Sequence, residues 1–135
     1  MNENMQNKNN KLIYPNLSFK IRGLCYDVHN EIGRYCREKQ YCNLLEKKLN
    51  EAGIKCCREH TIGDTGNRLD FLIDDRVVIE VKAKDVISKE DYFQTQRYLQ
   101  ITGMKLGFLV NFRSKLLNPK RIIKINTDVR KKFIE

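Results

Sequence analysis

RLDFLIDDRVVIEVKAK, residues 68–84, decides the fold. It reads as two apolar strands, Leu69–Ile73 and Val77–Val81, around an acidic turn. Three charges interrupt the strands: Asp70 in the first, Glu80 and Lys82 in or beside the second. Charged side chains among apolar strand positions are costly unless paired or bound to a cation. Residues two apart on a strand share a face, so Glu80 and Lys82 point the same way. Directly opposed residues of an antiparallel hairpin also share a face. A turn of three residues, Asp74, Asp75 and Arg76, sets Asp70 opposite Glu80. A two-residue turn sets Asp70 opposite Ile79 and sends the acids to opposite faces.

Working outward, the chain of 135 residues suits one core, and 41% hydrophobic residues suit an ordinary globular fold. Residues 1–19 read as a flexible tail, polar and Asn-rich at the start, and 20–135 as a single domain. No apolar run has the length of a membrane span and no signal-peptide core opens the chain, so a cytoplasmic protein is expected. Five cysteines, an odd number, argue against a disulfide framework. Cys57 precedes His60 by three residues, but no second pair has finger-like spacing, so reduced cysteines are expected in place of a zinc site. The net charge of +9 and pI of 9.4 point to a polyanionic partner, nucleic acid first, against the plainer reading of many surface lysines. Basic residues after Arg113 outnumber acids, and Lys120, Arg121 and Lys124 are the candidate nucleic-acid contacts.

Helical spacing marks Ile21–Gly33 and Tyr41–Ala52, with a start for the second near Tyr35 left open. IKCCREHTI reads as a strand, and Gly63–Asn67 as a turn cluster. Ser88 reads as the N-cap of a third helix, with Asp91 completing an acidic capping box, a stripe of Tyr92, Phe93, Tyr98, Leu99 and Ile101, and Gly103 as its stop. KLGFLVNF is a short apolar strand, and RIIKIN a last edge strand. Three strands joined by short turns favour a meander. The helix before the fourth strand returns the chain for a parallel pairing. The expected class is α/β, a mixed sheet with helices on its faces.

With the longer turn, Asp70, Glu80 and Lys82 converge. Two neighbouring carboxylates raise the cost of ionising each other, and a divalent cation resolves this. Magnesium takes carboxylates together with water and a phosphate oxygen. A metal bound there can acidify water and neutralise charge developing on a phosphate, and Lys82 can orient the attacking water or stabilise the transition state. The plainer alternative is a salt bridge between Lys82 and one of the acids at a sheet edge.

Asp70 followed by EVK at 80–82 resembles the signature of the PD-(D/E)XK nuclease superfamily, with Leu69 where Pro is usual. The region from Ile21 to Phe112 resembles its GxxExxY branch. It carries Glu38 and Tyr41 at the right spacing, with Tyr35 in the Gly position, Gln94 before the Tyr98–Leu99 pair, Thr102–Gly103, and a strand ending in Asn111–Phe112. The resemblance implies a restriction-endonuclease-like core of order αβββαβ. It implies Asp70, Glu80 and Glu38 as metal ligands, Mg2+ or Mn2+ as the cofactor, Lys82 as the catalytic lysine, and Gln94 facing the site to contact water or phosphate. Glu38 and Gln94 each retain the plainer reading of a solvated helical residue.

Two other functions compete with a nuclease acting on DNA or RNA. One is a non-catalytic nucleic-acid-binding module, and the other a subunit of a larger nucleic-acid-processing complex. A chain this short has little room for target recognition, so sequence specificity would need a homodimer or a protein partner.

Overall fold

The computed structural model describes residues 13–62 and 66–126. Helix α1 spans Pro15–Ile32, with Pro15 in its first turn, where a missing N–H costs nothing. It therefore begins inside the segment read as a tail. Ile21, Cys25 and Val28 form its buried face, as their spacing predicts. Helix α2 spans Glu38–Glu51, between the two starts left open. The Gln40 side chain accepts the Arg37 N–H at 2.9 Å and closes its first turn.

Strands β1 (Cys56–Thr61), β2 (Arg68–Ile73) and β3 (Val77–Lys82) form an antiparallel meander. Helix α3 (Lys89–Thr102) then carries the chain across to β4 (Leu106–Asn111), which pairs parallel to β3. Strand β5 (Lys120–Ile123) closes the far edge antiparallel to β4. The sheet has five strands in the order β1-β2-β3-β4-β5, so the expected mixed α/β architecture and its helix–strand order are present. The turn cluster Gly63–Asn67 lies partly outside the described residues, as do the first twelve residues and those after Asn126.

Helices α1 and α2 cover one face of the sheet, against Phe71, Ile73, Val77, Ile79, Val81, Phe108 and Val110. Helix α3 covers the other, packing Tyr98 and Leu99 on Leu72, Val78, Leu109 and Ile122. Strands β3 and β4 are buried on both faces, which is why VVIEV and LGFLV read as continuous apolar runs. Gly107 lets α3 approach closely, since a Cβ there would sit 3.3 Å from both Thr95 Cγ2 and the Val78 carbonyl oxygen.

The stripe expected on α3 needs correction. Its sheet-facing side uses Asp91, Thr95, Tyr98 and Leu99, whereas Phe93 and Ile101 are exposed. Buried Thr95 is tolerated because its hydroxyl donates to the Asp91 carbonyl at 3.0 Å. The capping box is as expected: Ser88 Oγ accepts from the Asp91 N–H, and Asp91 Oδ2 accepts from the Ser88 N–H at 2.8 Å.

The β2–β3 turn is the three-residue one. Ile73 pairs with Val77, leaving Asp74, Asp75 and Arg76 between them. Asp74 and Asp75 adopt φ of 52° and 55°, a left-handed conformation that Asp tolerates better than most residues. Lys55 pairs with Asp75 at 2.7 Å, and the Asp74 N–H donates to the Lys55 carbonyl, pinning the turn to β1.

Candidate active site

With that register, Asp70 comes level with Glu80. The backbone pairing of β2 with β3 runs from Ile73–Val77 to Phe71–Ile79. One position on, side chains replace the ladder: the Asp70 N–H donates to Glu80 Oε1 at 3.0 Å, and the Val81 N–H donates to Asp70 Oδ2 at 2.7 Å. The two carboxylates thus occupy the place where the hairpin strands part. Glu80 is 3% exposed and Asp70 is half-buried.

Burial sets the electrostatics. Burial pushes the Glu80 carboxyl up, the neighbouring Asp70 charge adds to this, and together they carry it to about 8. The Asp70 carboxyl is also raised, mainly by burial, although the Val81 N–H, Lys82 and Arg58 pull against that. Neither acid is relieved by a direct ion pair with Lys82. Lys82 instead donates to Gln94 Oε1 at 3.1 Å and lies 3.9 Å from Asp91 Oδ1. The simple salt-bridge alternative therefore does not describe the site.

Gln94 stands on α3, where its side-chain oxygen accepts from the Lys82 ammonium. Two further residues, read in the sequence only as a helix cap and a strand ending, make contacts around the lysines. Asp91 is 6% exposed and pairs with Lys84 at 2.5 Å while capping α3. Burial raises its carboxyl, but the Lys84 ammonium and the Ser88 N–H and hydroxyl overcome this and leave it below the usual range. Asn111, at the end of β4, accepts the Lys84 N–H through Oδ1 at 3.1 Å and donates Nδ2 to the Lys84 carbonyl at 2.7 Å. The capping pattern explains Asp91 locally, and nothing local announces its reach across to β3.

Glu38 is the first residue of α2, and it is exposed rather than carried inward with Tyr41 and Leu45. A residue at the start of a helix projects past the packed stripe. It still lines, with Asp70, Cys42, Arg58 and Glu59, a cleft of about 270 Å³. Partial burial there raises its carboxyl, while Lys82 draws it down and the Asp70 charge raises it further. No group of three His, Cys, Asp or Glu side chains among the described residues is placed to hold a metal ion. Of the three acids implied as ligands, Asp70 and Glu80 meet through backbone hydrogen bonds on β2 and β3, and Glu38 stands at the mouth of the cleft that Asp70 lines. Tyr41 serves the scaffold: its hydroxyl donates to the Gly33 carbonyl at 2.7 Å, and its ring stacks on Phe112 at 4.4 Å.

A family model for the PD-(D/E)XK nuclease superfamily matches residues 15–124. The chain belongs to the PD-(D/E)XK nuclease superfamily. The signature read at Asp70, Glu80 and Lys82 falls on the paired carboxylates and the lysine beside them. Among solved structures, an alkaline exonuclease from Laribacter hongkongensis is similar, with a TM-score of 0.46 and 17% identity over 66% of this chain. The match covers 57% of that exonuclease, little more than half its length. No curated protein sequence matches the chain.

The three basic residues chosen as nucleic-acid contacts do not form one surface. Side chains alternate along β5. Lys120 lies on the α3 side, its ammonium 5.5 Å from the Tyr92 ring centre. Arg121 turns to the α1 side, where Nη2 donates to the Ile13 carbonyl at 3.2 Å. Lys124 follows the end of the strand, where its N–H donates to the Lys105 carbonyl. No helix among the described residues is long and apolar enough to cross a membrane.

Proposed function

We propose that the chain is a divalent-metal-dependent nuclease that hydrolyses phosphodiester bonds in DNA or RNA. The observation that carries this is the meeting of the Asp70 and Glu80 carboxylates where β2 and β3 part, with Lys82 beside them and unpaired with either. Membership of the superfamily supports it.

The donor set fits magnesium or manganese. Both acids offer hard oxygen ligands, and their raised proton affinities mark a site where negative charge lacks compensation. A cation held by Asp70 and Glu80 would supply an acidified water and neutralise charge developing on the phosphate. Lys82 donates its ammonium to the attacking water or to a non-bridging oxygen. Gln94 and Asp91 are positioning residues that hold the lysine in reach. Glu38, at the mouth, orders water beside Asp70 rather than completing an inner ligand set. Lys120 and Lys124 contribute to the nucleic-acid surface, and Arg121 to the scaffold. Within the superfamily, Glu38, Tyr41, Gln94 and the Asn111–Phe112 ending favour the GxxExxY branch, and the five free cysteines favour the cytoplasm.

A non-catalytic nucleic-acid-binding module is the second reading, favoured by the lack of a third metal-ligating side chain among the described residues. Incubating labelled single- and double-stranded DNA and RNA with Mg2+ or Mn2+, and with a chelator, separates the two. The nuclease reading expects cleavage that the chelator abolishes and that Lys82→Ala reduces by about 100-fold or more. Binding without cleavage of any substrate selects the module.

A further inference from the structure

Two arginines lock the α1–α2 loop to the loop after β4. Arg34 Nε donates to the Arg113 carbonyl at 2.8 Å, and Arg113 Nε donates to the Arg34 carbonyl at 2.8 Å. Both guanidiniums then lie over one ring, that of Tyr35, at 5.0 Å for Arg34 and 5.9 Å for Arg113. Arg34 Nη1 also donates to the Tyr35 hydroxyl at 3.3 Å. Despite these contacts, Tyr35 is 78% exposed. The ring is thus held in place by two cations and left open to solvent. Asp85, itself exposed, lies 3.8 Å from Arg113 Nη1 and is the acid at the edge of the cluster.

This clasp is tied to the site already described through both of its loops. Tyr35 precedes Glu38 by three residues, and Glu38 lines the cleft with Asp70. The Arg113 N–H donates to Asn111 Oδ1 at 3.3 Å, and the Asn111 side chain grips the Lys84 backbone, two residues after Lys82. An open aromatic face offers a stacking platform for a nucleobase, and flanking guanidiniums offer donors and charge for phosphates. A preset ring and two mutually anchored arginines lose little freedom on binding. Bases within a duplex are already stacked and have no free face for Tyr35. The excess positive charge of the chain suits a nucleic acid over an acidic peptide, because only the former brings a stacking face for every phosphate.

We propose that Arg34, Tyr35 and Arg113 form a subsite for an unpaired nucleobase and its phosphates, so that the strand delivered to Asp70, Glu80 and Lys82 is single-stranded. The delivery rests on the nuclease reading above, whereas the subsite is tested without turnover. The full chain is titrated, in chelator, into a fluorescent single-stranded oligonucleotide and into the blunt duplex of the same sequence. A 2-aminopurine base in the single strand reports stacking by its quenching. The wild type binds the single strand more tightly and quenches the probe. Tyr35→Ala weakens single-strand binding by about tenfold and removes the quenching, Tyr35→Phe stays within about twofold of the wild type, and duplex binding moves by less than about twofold. An unchanged melting temperature for Tyr35→Ala excludes a folding defect. Wild-type affinity in Tyr35→Ala, an equal loss on single strand and duplex, or no single-strand binding at all would overturn the proposal. Tyr35-dependent binding together with no metal-dependent cleavage upholds the subsite and rejects the nuclease reading.

Discussion

Glu80 sits where a carboxylate is hard to ionise. Its proton affinity rises from 4.5 to about 8 because it is buried and faces Asp70. An acid whose value is raised by folding favours the native state fully only below its unfolded value. That contribution is lost as pH climbs from 4.5 towards about 8. Glu80→Gln keeps an oxygen for the Asp70 N–H and removes the charge. Urea unfolding in chelator is therefore expected to show the variant more stable at pH 8, by on the order of 1–3 kcal/mol, with the gap closing towards pH 4.5. A variant less stable than the wild type at pH 8 would mean that the carboxylate is a structural partner. Gln94 acts on the same centre through Lys82. Gln94→Ala should lower the turnover rate with little change in nucleic-acid affinity, as single-turnover kinetics would show. Equal loss of both would make Gln94 a binding residue.

At the scale of elements, the hairpin turn sets the site. Its residues were legible as two alternatives, and only the conformation of Asp74 and Asp75, together with their ties to Lys55, selects the longer one. Strands β3 and β4 were legible because both faces are buried, and the start of α3 because a capping box is local. Glu38 was not, because a helix start can project past the stripe its spacing suggests. Asp91 and Asn111 were not, because their partners Lys82 and Lys84 lie on another element, reached through the α3 crossover. The α3–sheet contact makes its own predictions. Ser88→Ala should cost about 1 kcal/mol in urea unfolding and, by loosening Asp91, reduce activity as well. Gly107→Val should cost more, about 2–4 kcal/mol, because even its Cβ would sit 3.3 Å from Thr95 Cγ2 and the Val78 carbonyl oxygen, closer than ordinary contact. A Gly107→Val protein as stable as the wild type would mean that α3 rides higher on the sheet.

For the whole molecule, the charge is +9, and on β5 Lys120 and Arg121 turn to opposite faces of the sheet. Nucleic-acid affinity should fall steeply with salt, as condensed counterions are displaced. Neutralising Lys120 and Lys124 should flatten that slope, whereas Arg121→Ala should chiefly lower stability, because its guanidinium is tied to the Ile13 carbonyl. A flattened slope in Arg121→Ala at unchanged stability would return that residue to the binding surface. The same molecule carries Glu80, whose carboxyl is raised to about 8, so a cation that binds it at neutral pH must displace a proton. Calorimetric titration of Mn2+ into the chain at pH 7, repeated in buffers of different ionisation enthalpy, counts the protons released. The account predicts saturable binding with proton release, both abolished in Asp70→Asn and Glu80→Gln. Binding that persists unchanged in both variants, or no binding in the wild type, would contradict it.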